Sequence, residues 1–195
     1  MTGITRESLM SLEEYARQRP AFRQRVIEHK KRRTVRLGDH LTLIFEDELT
    51  IRYQIQEMLR IERTFEEAGI QDELDAYVPL VPGGSDWKAT MMLEYPDPEV
   101  RKHWLGRLKG VEHRVWVRVE GHEPLFAIAD EDWARENEVK TSAVHFLRFP
   151  LSRGMVDGLV AGAGLSIGVD HREYRYRLGV VPEPVRRSLC EDLKP

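Results

Sequence analysis

Short stretches of alternating apolar and polar residues, separated by turn sequences, constrain the fold of this chain more than any other feature. The clearest stretch carries Val115, Val117 and Val119 at alternate positions, as expected for a strand with one buried face. Turn sequences at 38–39 and 120–122 can connect neighbouring strands as hairpins. Strands are predicted at 35–37, 41–45, 87–95, 113–120, 123–129, 142–149 and 165–170.

Helical periodicity is strongest towards the N-terminal end. Residues 11–32 form the first predicted helix, which begins with a capping box at Ser11 and which Pro20 should kink or split. Residues 50–68 form the second, because apolar residues recur there at a period of 3.6 between a cap at Thr50 or Asp47 and an end at Gly69. Shorter helices are predicted at 70–77, 97–108, 152–161 and 182–193. Strands at hairpin distances, with helices gathered mainly at one end, predict an α+β fold: a mostly antiparallel sheet with N-terminal helices packed against it.

Composition limits the class of protein. The 195 residues are 41% hydrophobic and 32% charged, which is typical of a globular chain and predicts a single domain over 1–195, with 1–33 as a helical arm. No apolar stretch approaches the ~20 residues of a membrane helix, and no leader pattern opens the chain, so we expect a cytoplasmic protein with no membrane contact. Cys190 is the only cysteine, which rules out a disulfide framework or a thiolate metal cluster.

Polar and ionisable side chains are densest between residues 29 and 63. A basic run at 29–33 precedes two strands, and a helix with the sequence QIQEM at 54–58 follows them. We expect Arg60, beside Glu57, to face the basic run across a cleft and to bind a carboxylate or phosphate. The alternative is an internal ion-pair network that pins the first helix to the second, with basic residues 30–33 balancing the acids at 62–75. The candidate ligand- or partner-binding residues are His29, Lys30, Arg33, Gln54, Gln56, Glu57 and Arg60.

Asp170 and His171 form a second, weaker candidate at the end of a predicted strand. A carboxylate beside an imidazole could act as an acid/base pair near neutral pH, and Glu57 is the other weak catalytic candidate. A turn in which both side chains are satisfied locally is the favoured alternative, because aspartate at a strand end is common.

Other motifs argue against intrinsic cofactors. The glycines at 158–168 follow a helix and precede a strand, the reverse of the order in a dinucleotide-binding fingerprint, so a helix end and close packing explain them. The seven histidines show no metal-ligand spacing, and we predict neither a metal site nor a cofactor.

Five segments resemble a bacterial family catalogued as a domain of unknown function, DUF3501. These segments are EHKKRRTVRLG at 28–38, LIFED at 43–47, TIRYQIQEMLRIER at 50–63, ELDAYVPLVPG at 73–83 and VDHREY at 169–174. The resemblance covers nearly the whole chain. It departs from the family pattern at Asp47 and Arg172. The resemblance implies no assigned activity. It implies that the protein is a neighbour of rubrerythrin and iron–sulfur oxidoreductase proteins, with an accessory role in redox chemistry or peroxide defence.

Three functions follow as hypotheses. The first is an accessory protein that docks an iron–sulfur or rubrerythrin-type redox partner in oxidative stress defence, with the basic face at 30–36 giving orientation. The second is an enzyme or small-anion sensor with its pocket around the QIQEM helix. The third, nucleic-acid binding through the basic run, is disfavoured because no aromatic residues are interleaved there.

Overall fold

A computed structural model describes residues 3–129 and 141–194, and within them it shows six α-helices and nine β-strands. The helices are α1 (Leu12–Lys30), α2 (Glu48–Glu62), α3 (Glu67–Tyr77), α4 (Pro98–Arg107), α5 (Arg153–Val160) and α6 (Glu183–Cys190). The strands are β1 (Thr34–Leu37), β2 (Leu41–Phe45), β3 (Asp86–Leu93), β4 (Val115–Val119), β5 (Leu125–Phe126), β6 (Ile128–Ala129), β7 (Val144–Pro150), β8 (Leu165–His171) and β9 (Tyr174–Leu178). The predicted α+β class is confirmed. Of the predicted domain 1–195, residues 1–2, 130–140 and 195 lie outside the described residues.

The strands form two antiparallel sheets. The first sheet has the order β1-β2-β3-β7-β6 and the second has the order β5-β4-β8-β9. The chain passes from the second sheet to the first through Ala127 alone, because β5 pairs with β4 whereas β6 pairs with β7. The Tyr174 hydroxyl also joins the sheets by donating to the Leu37 carbonyl at 2.6 Å.

The largest hydrophobic core lies between the two sheets. Val117 and Ile167 of the second sheet belong to the same buried cluster as Leu43 and Trp87 of the first. On its other face, the first sheet contacts α2 and α3 through Phe146 of β7. Helix α1 packs on α2 through a separate cluster of Tyr15, Phe22 and Val26 with Leu49 and Tyr53. The layers therefore follow one another in this order: the second sheet, the first sheet, the pair of helices α2 and α3, and helix α1.

Several helix boundaries differ from prediction. Helix α1 continues through Pro20 instead of splitting there. Helix α2 starts at a reciprocal capping box between Asp47 and Thr50, and it ends at Arg63, whose φ of 56° is left-handed, rather than at Gly69. The prediction extended the helix because Phe65 fits the apolar period, yet Phe65 lies beyond the helix and is 73% exposed.

Strand β9 is absent from the prediction, although Tyr174, Tyr176 and Leu178 alternate with arginines in its sequence. All five of its residues are exposed or partly exposed, as expected for a strand at the edge of a sheet. In the part of the chain that the structure describes, none of the helices is both long and apolar enough to span a bilayer.

The glycines at 158–168 end a helix and permit close packing, as predicted. Gly162, with φ of 102°, follows α5. A Cβ atom added at Gly168 would lie 2.7 Å from both Trp116 Cε2 and the Tyr176 carbonyl oxygen, whereas the nearest atoms to one added at Gly158 would lie at 3.7 Å.

We expect Gly168→Ala to destabilise the protein and Gly158→Ala to leave stability unchanged or raise it. The first change overpacks a strand against backbone and should cost about 1–3 kcal/mol. The second replaces a helical glycine at which a Cβ would make only ordinary van der Waals contacts, and it should gain up to about 1 kcal/mol. Urea unfolding of both variants measures the difference, and equal stabilities would contradict the packing described for Gly168.

Candidate functional site

Helices α1 and α2 run antiparallel, and this arrangement decides which predicted site residues meet. Arg19, in the first half of α1, binds Glu57 near the end of α2, while His29 near the end of α1 binds Asp47 at the start of α2. Because a helix rises ~1.5 Å per residue, Asp47 and Arg60 lie about 20 Å apart along α2. The prediction that Arg60 faces the basic run across a cleft is therefore wrong, since the two groups lie at opposite ends of the helix pair.

Glu57 is neutralised inside the helix pair. Its carboxylate accepts hydrogen bonds from Arg19 at 2.7 and 2.9 Å and from the Tyr15 hydroxyl at 2.7 Å, and Arg60 Nε lies 3.2 Å from it. The bond from Arg19, supported by those from Tyr15 and Arg60, lowers the pKa of Glu57 to about 2. Glu57 therefore remains ionised, and an internal ion-pair network pins α1 to α2 as in the alternative interpretation. Its members are Arg19 and Glu57, however, and not the basic residues 30–33 with the acids at 62–75.

The other QIQEM-helix candidates also lack a shared pocket with the basic run. Gln56 is buried, and its amide accepts from the Met10 N–H at 2.7 Å and donates to the Met10 carbonyl at 3.4 Å, so it secures the segment before α1. The half-buried side chains of Gln54 and Lys30 make no hydrogen bond or ion pair with the rest of residues 3–129 and 141–194.

Arg33 lies in the core and not at a surface. Its side chain is 1% exposed and donates to the carbonyls of Phe45 at 2.8 Å, Glu46 at 3.0 Å and Ser188 at 3.0 Å, and also to the Asp192 carboxylate. A buried guanidinium is tolerated because its donors find partners. Arg33 thus joins the end of β2 to α6 and cannot itself hold an external ligand.

A cluster of His29, Asp47, Arg33 and Asp192 results, and we call it the His29 cluster. His29 Nε2 lies 2.5 Å from Asp47 Oδ2, and Arg33 Nε lies 3.5 Å from the same oxygen. Among the described residues, His29 Nδ1 has no hydrogen-bond partner, and it is not sealed from solvent. The imidazole therefore has one nitrogen held by a carboxylate and one available.

The His29 cluster borders a cleft of about 700 Å³ formed by the end of α1, the start of α2, the segment after α3 and the segment after α6. The lining residues are Arg25, Glu28, His29, Arg32, Asp47, Glu48, Leu49, Val81, Pro82, Glu191 and Asp192. Such a volume suits a small polar molecule.

The pKa values of the two carboxylates in the cluster are shifted in opposite directions. Burial raises the pKa of Asp192 to about 6, and Arg33 only partly offsets this effect. Burial also acts on Asp47, but Arg33, the Thr50 N–H and His29 together hold the pKa of Asp47 below its usual range. Two carboxylates whose pKa values differ in this way can act as acid and base at one site.

Asp170 and His171 adopt the turn arrangement that the sequence analysis favoured. His171 Nδ1 accepts from the Glu173 N–H at 3.3 Å, and Nε2 donates to the Lys109 carbonyl at 3.1 Å. Asp170 pairs with Arg175 at 3.1 Å on the protein surface. Both imidazole nitrogens are thus engaged with backbone.

Sequence analysis identified His29 and Arg33 but missed their carboxylate partners. Asp47 was considered only as a helix cap, and the cap is indeed present. Asp192 comes from the other end of the chain, and no spacing or motif connects it with Arg33. Within residues 3–129 and 141–194, no three or more His, Cys, Asp or Glu side chains are grouped as a metal site.

Comparison with known proteins places the chain among proteins without an assigned activity. A family model described as "Protein of unknown function (DUF3501)" matches residues 3–193. A crystal structure of a novel protein of unknown function from Burkholderia pseudomallei K96243 is 55% identical, covers 100% of both chains and superposes with a TM-score of 0.94. No protein in the comparison with curated proteins matches.

We expect Asp192→Asn to change how stability depends on pH. Because the pKa of Asp192 is raised from 3.8 to about 6, the folded protein binds more protons than the unfolded protein between these values, and wild-type stability contains a component that falls as pH rises there. Asparagine cannot titrate, so the variant should gain up to about 3 kcal/mol relative to wild type from pH 4 to pH 7.

Urea unfolding across that pH range measures the gain, with the exposed Asp39→Asn as the matched control. A difference between Asp192→Asn and wild type that stays constant with pH would contradict the raised pKa.

Proposed function

Because the chain belongs to the DUF3501 family, whose description assigns no activity, we propose a function from geometry: the protein binds a small anionic molecule in the cleft beside the His29 cluster and transfers a proton through His29. The observation that carries the proposal is the pairing of His29 with Asp47 while Nδ1 remains open. This proposal follows the hypothesis of an enzyme or small-anion sensor. The pocket, however, lies at the opposite end of the helix pair from the QIQEM segment.

Asp47 prepares His29 to act as a base. Since the lowered pKa keeps Asp47 ionised, His29 Nε2 donates a hydrogen bond to that carboxylate, and Nδ1 is left as the ring nitrogen that can accept a proton. A carboxylate that fixes the tautomer and orientation of a histidine supports general base catalysis and stabilises the imidazolium that forms. Asp192, with a pKa of about 6, adds a second group that can exchange a proton near neutral pH.

Charges at the rim favour an anionic ligand. Of the carboxylates there, Glu28 is paired with Lys31 at 2.6 Å and Glu48 with Arg52 at 2.9 Å, whereas Glu191 forms no ion pair with any described residue. Arg25 and Arg32 line the same cleft and form no ion pair with any described residue. The two arginines of the rim outnumber this one free carboxylate. Two free guanidinium groups can hold a carboxylate or phosphate while another part of the ligand meets His29.

A thermal-shift screen of small carboxylates and phosphates tests the proposal. A ligand present at about 100 times its Kd should stabilise the protein by ~2.7 kcal/mol, or roughly 5–10 °C in melting temperature. We expect His29→Gln and Arg25→Gln to reduce the shift and the exposed His103→Gln to retain it. The proposal fails if no compound stabilises the protein, or if the shift survives both cleft substitutions.

A docking role towards an acidic redox partner is the second proposal. It is supported by cationic side chains near the end of α1 and on β1 that form no ion pair with the described residues: Arg23, Arg25, Lys30, Arg32 and Arg36. The resemblance described above suggests a rubrerythrin-type or iron–sulfur protein as the partner, and we propose a cytoplasmic setting for both. The lone Cys190, which is half-buried, suits a reducing compartment.

Binding of purified rubrerythrin from the same organism tests this role. Because charge steering depends on salt, we expect affinity to fall between 20 and 200 mM salt, and Arg36→Glu to weaken it about fivefold or more while Arg172→Glu, on a β8–β9 turn, has no effect. Absence of binding at 20 mM salt, or equal losses in both variants, would contradict it.

A further inference from the structure

The outer face of the second sheet carries aromatic and cationic side chains that the proposed functions do not use. One row of residues crosses all four strands in register, from Phe126 on β5 through Trp116 and Gly168 to Arg177 on β9. The residues on either side of Trp116 point into the core, so this row points away from it. We call this surface the aromatic sheet face.

Two aromatic residues occupy paired positions on the aromatic sheet face. Phe126 is 41% exposed and lies directly opposite Trp116 in the strand register. The indole of Trp116 lies across Gly168, where any Cβ would meet the ring, so it is held against the sheet and only partly covered. Together with Arg175 and Arg177 they border a shallow concavity of about 430 Å³.

Arginines surround the two rings. The Arg114 guanidinium lies 5.5 Å from the Phe126 ring centroid. Arg114 and Arg175 share one carboxylate, that of Asp170, at 3.8 and 3.1 Å. Arg118 and Arg177 form no ion pair with any described residue. The aromatic sheet face therefore has a local excess of positive charge, although the chain carries a net charge of -3.

We propose that the aromatic sheet face binds single-stranded nucleic acid. Bases that are not paired in a duplex can stack on Phe126 and on Trp116, and phosphates can reach Arg118 and Arg177. A platform of exposed rings beside free guanidinium groups fits a polyanion with planar bases better than an acidic protein, which offers no rings to stack. The basic run on α1 lacks such rings, whereas the fold brings aromatic and cationic residues together here.

Fluorescence anisotropy with labelled fifteen-nucleotide oligo-dT and oligo-U tests the proposal, and a fifteen-base-pair duplex serves as the comparison. We expect both single strands to bind at 50 mM salt and more tightly than the duplex. The logarithm of affinity should fall against the logarithm of salt concentration with a slope of about −1.4 to −2.8, since two to four phosphates contribute ~0.7 each. The two single strands show whether a 2′-hydroxyl adds affinity.

Matched variants separate stacking from charge. Phe126→Leu keeps an apolar side chain but removes the stacking surface, and it should weaken binding about fivefold or more. Phe65→Leu, at an exposed phenylalanine outside the sheets, should leave binding unchanged. Arg177→Gln should reduce the salt slope by about 0.7, and the exposed Arg17→Gln of α1 should not.

Three results would overturn the proposal: no binding of either single strand at 50 mM salt, unchanged affinity in Phe126→Leu, or duplex binding as tight as that of the single strands. Since none of these substitutions touches the His29 cluster, ligand stabilisation at the cleft should persist in them, and the two proposals can fail separately.

Discussion

The buried guanidinium of Arg33 is the interaction on which the rest of the structure depends. Transfer of an unpaired charge into a protein interior costs several kcal/mol, so Arg33 requires the carbonyls of Phe45, Glu46 and Ser188 and the carboxylate of Asp192 in place. These partners come from the end of β2, the residue that follows it, and the region of α6. One side chain thus brings the first hairpin and the end of the described chain together, and the cleft beside His29 lies where they meet.

The same guanidinium separates the two carboxylates chemically. It contributes to the low pKa of Asp47, yet it does not overcome the effect of burial at Asp192, whose pKa is about 6. An ion-pair network can be purely structural, as that around Glu57 is. The His29 cluster differs because one of its imidazole nitrogens lacks a partner among the described residues and because a cleft adjoins it. Geometry, and not charge density alone, distinguishes the two ends of the helix pair.

Local patterns in the sequence predicted most elements but not their relative placement. The Asp47 cap and the alternation in β4 depend on neighbouring residues, so the sequence is sufficient for both. The position of Arg60 relative to His29 depends on the antiparallel packing of α1 and α2, which side-chain spacing does not encode. Asp192 joins the cluster through a contact across 159 positions of sequence, and no local signal precedes it. Likewise, β9 is held at the sheet edge by pairing with β8, and none of its five residues is buried.

The passage of the chain between the sheets at Ala127 has a mechanical consequence. The N–H of this residue donates to the Val115 carbonyl at 2.8 Å, while its neighbours on either side pair with different sheets. A one-residue link has no slack, so neither sheet can shift by more than a fraction of a residue without pulling the other with it. Opening fluctuations of the sheets should be coupled, and backbone amides on both sides of Ala127 should exchange with deuterium as a single cooperative unit.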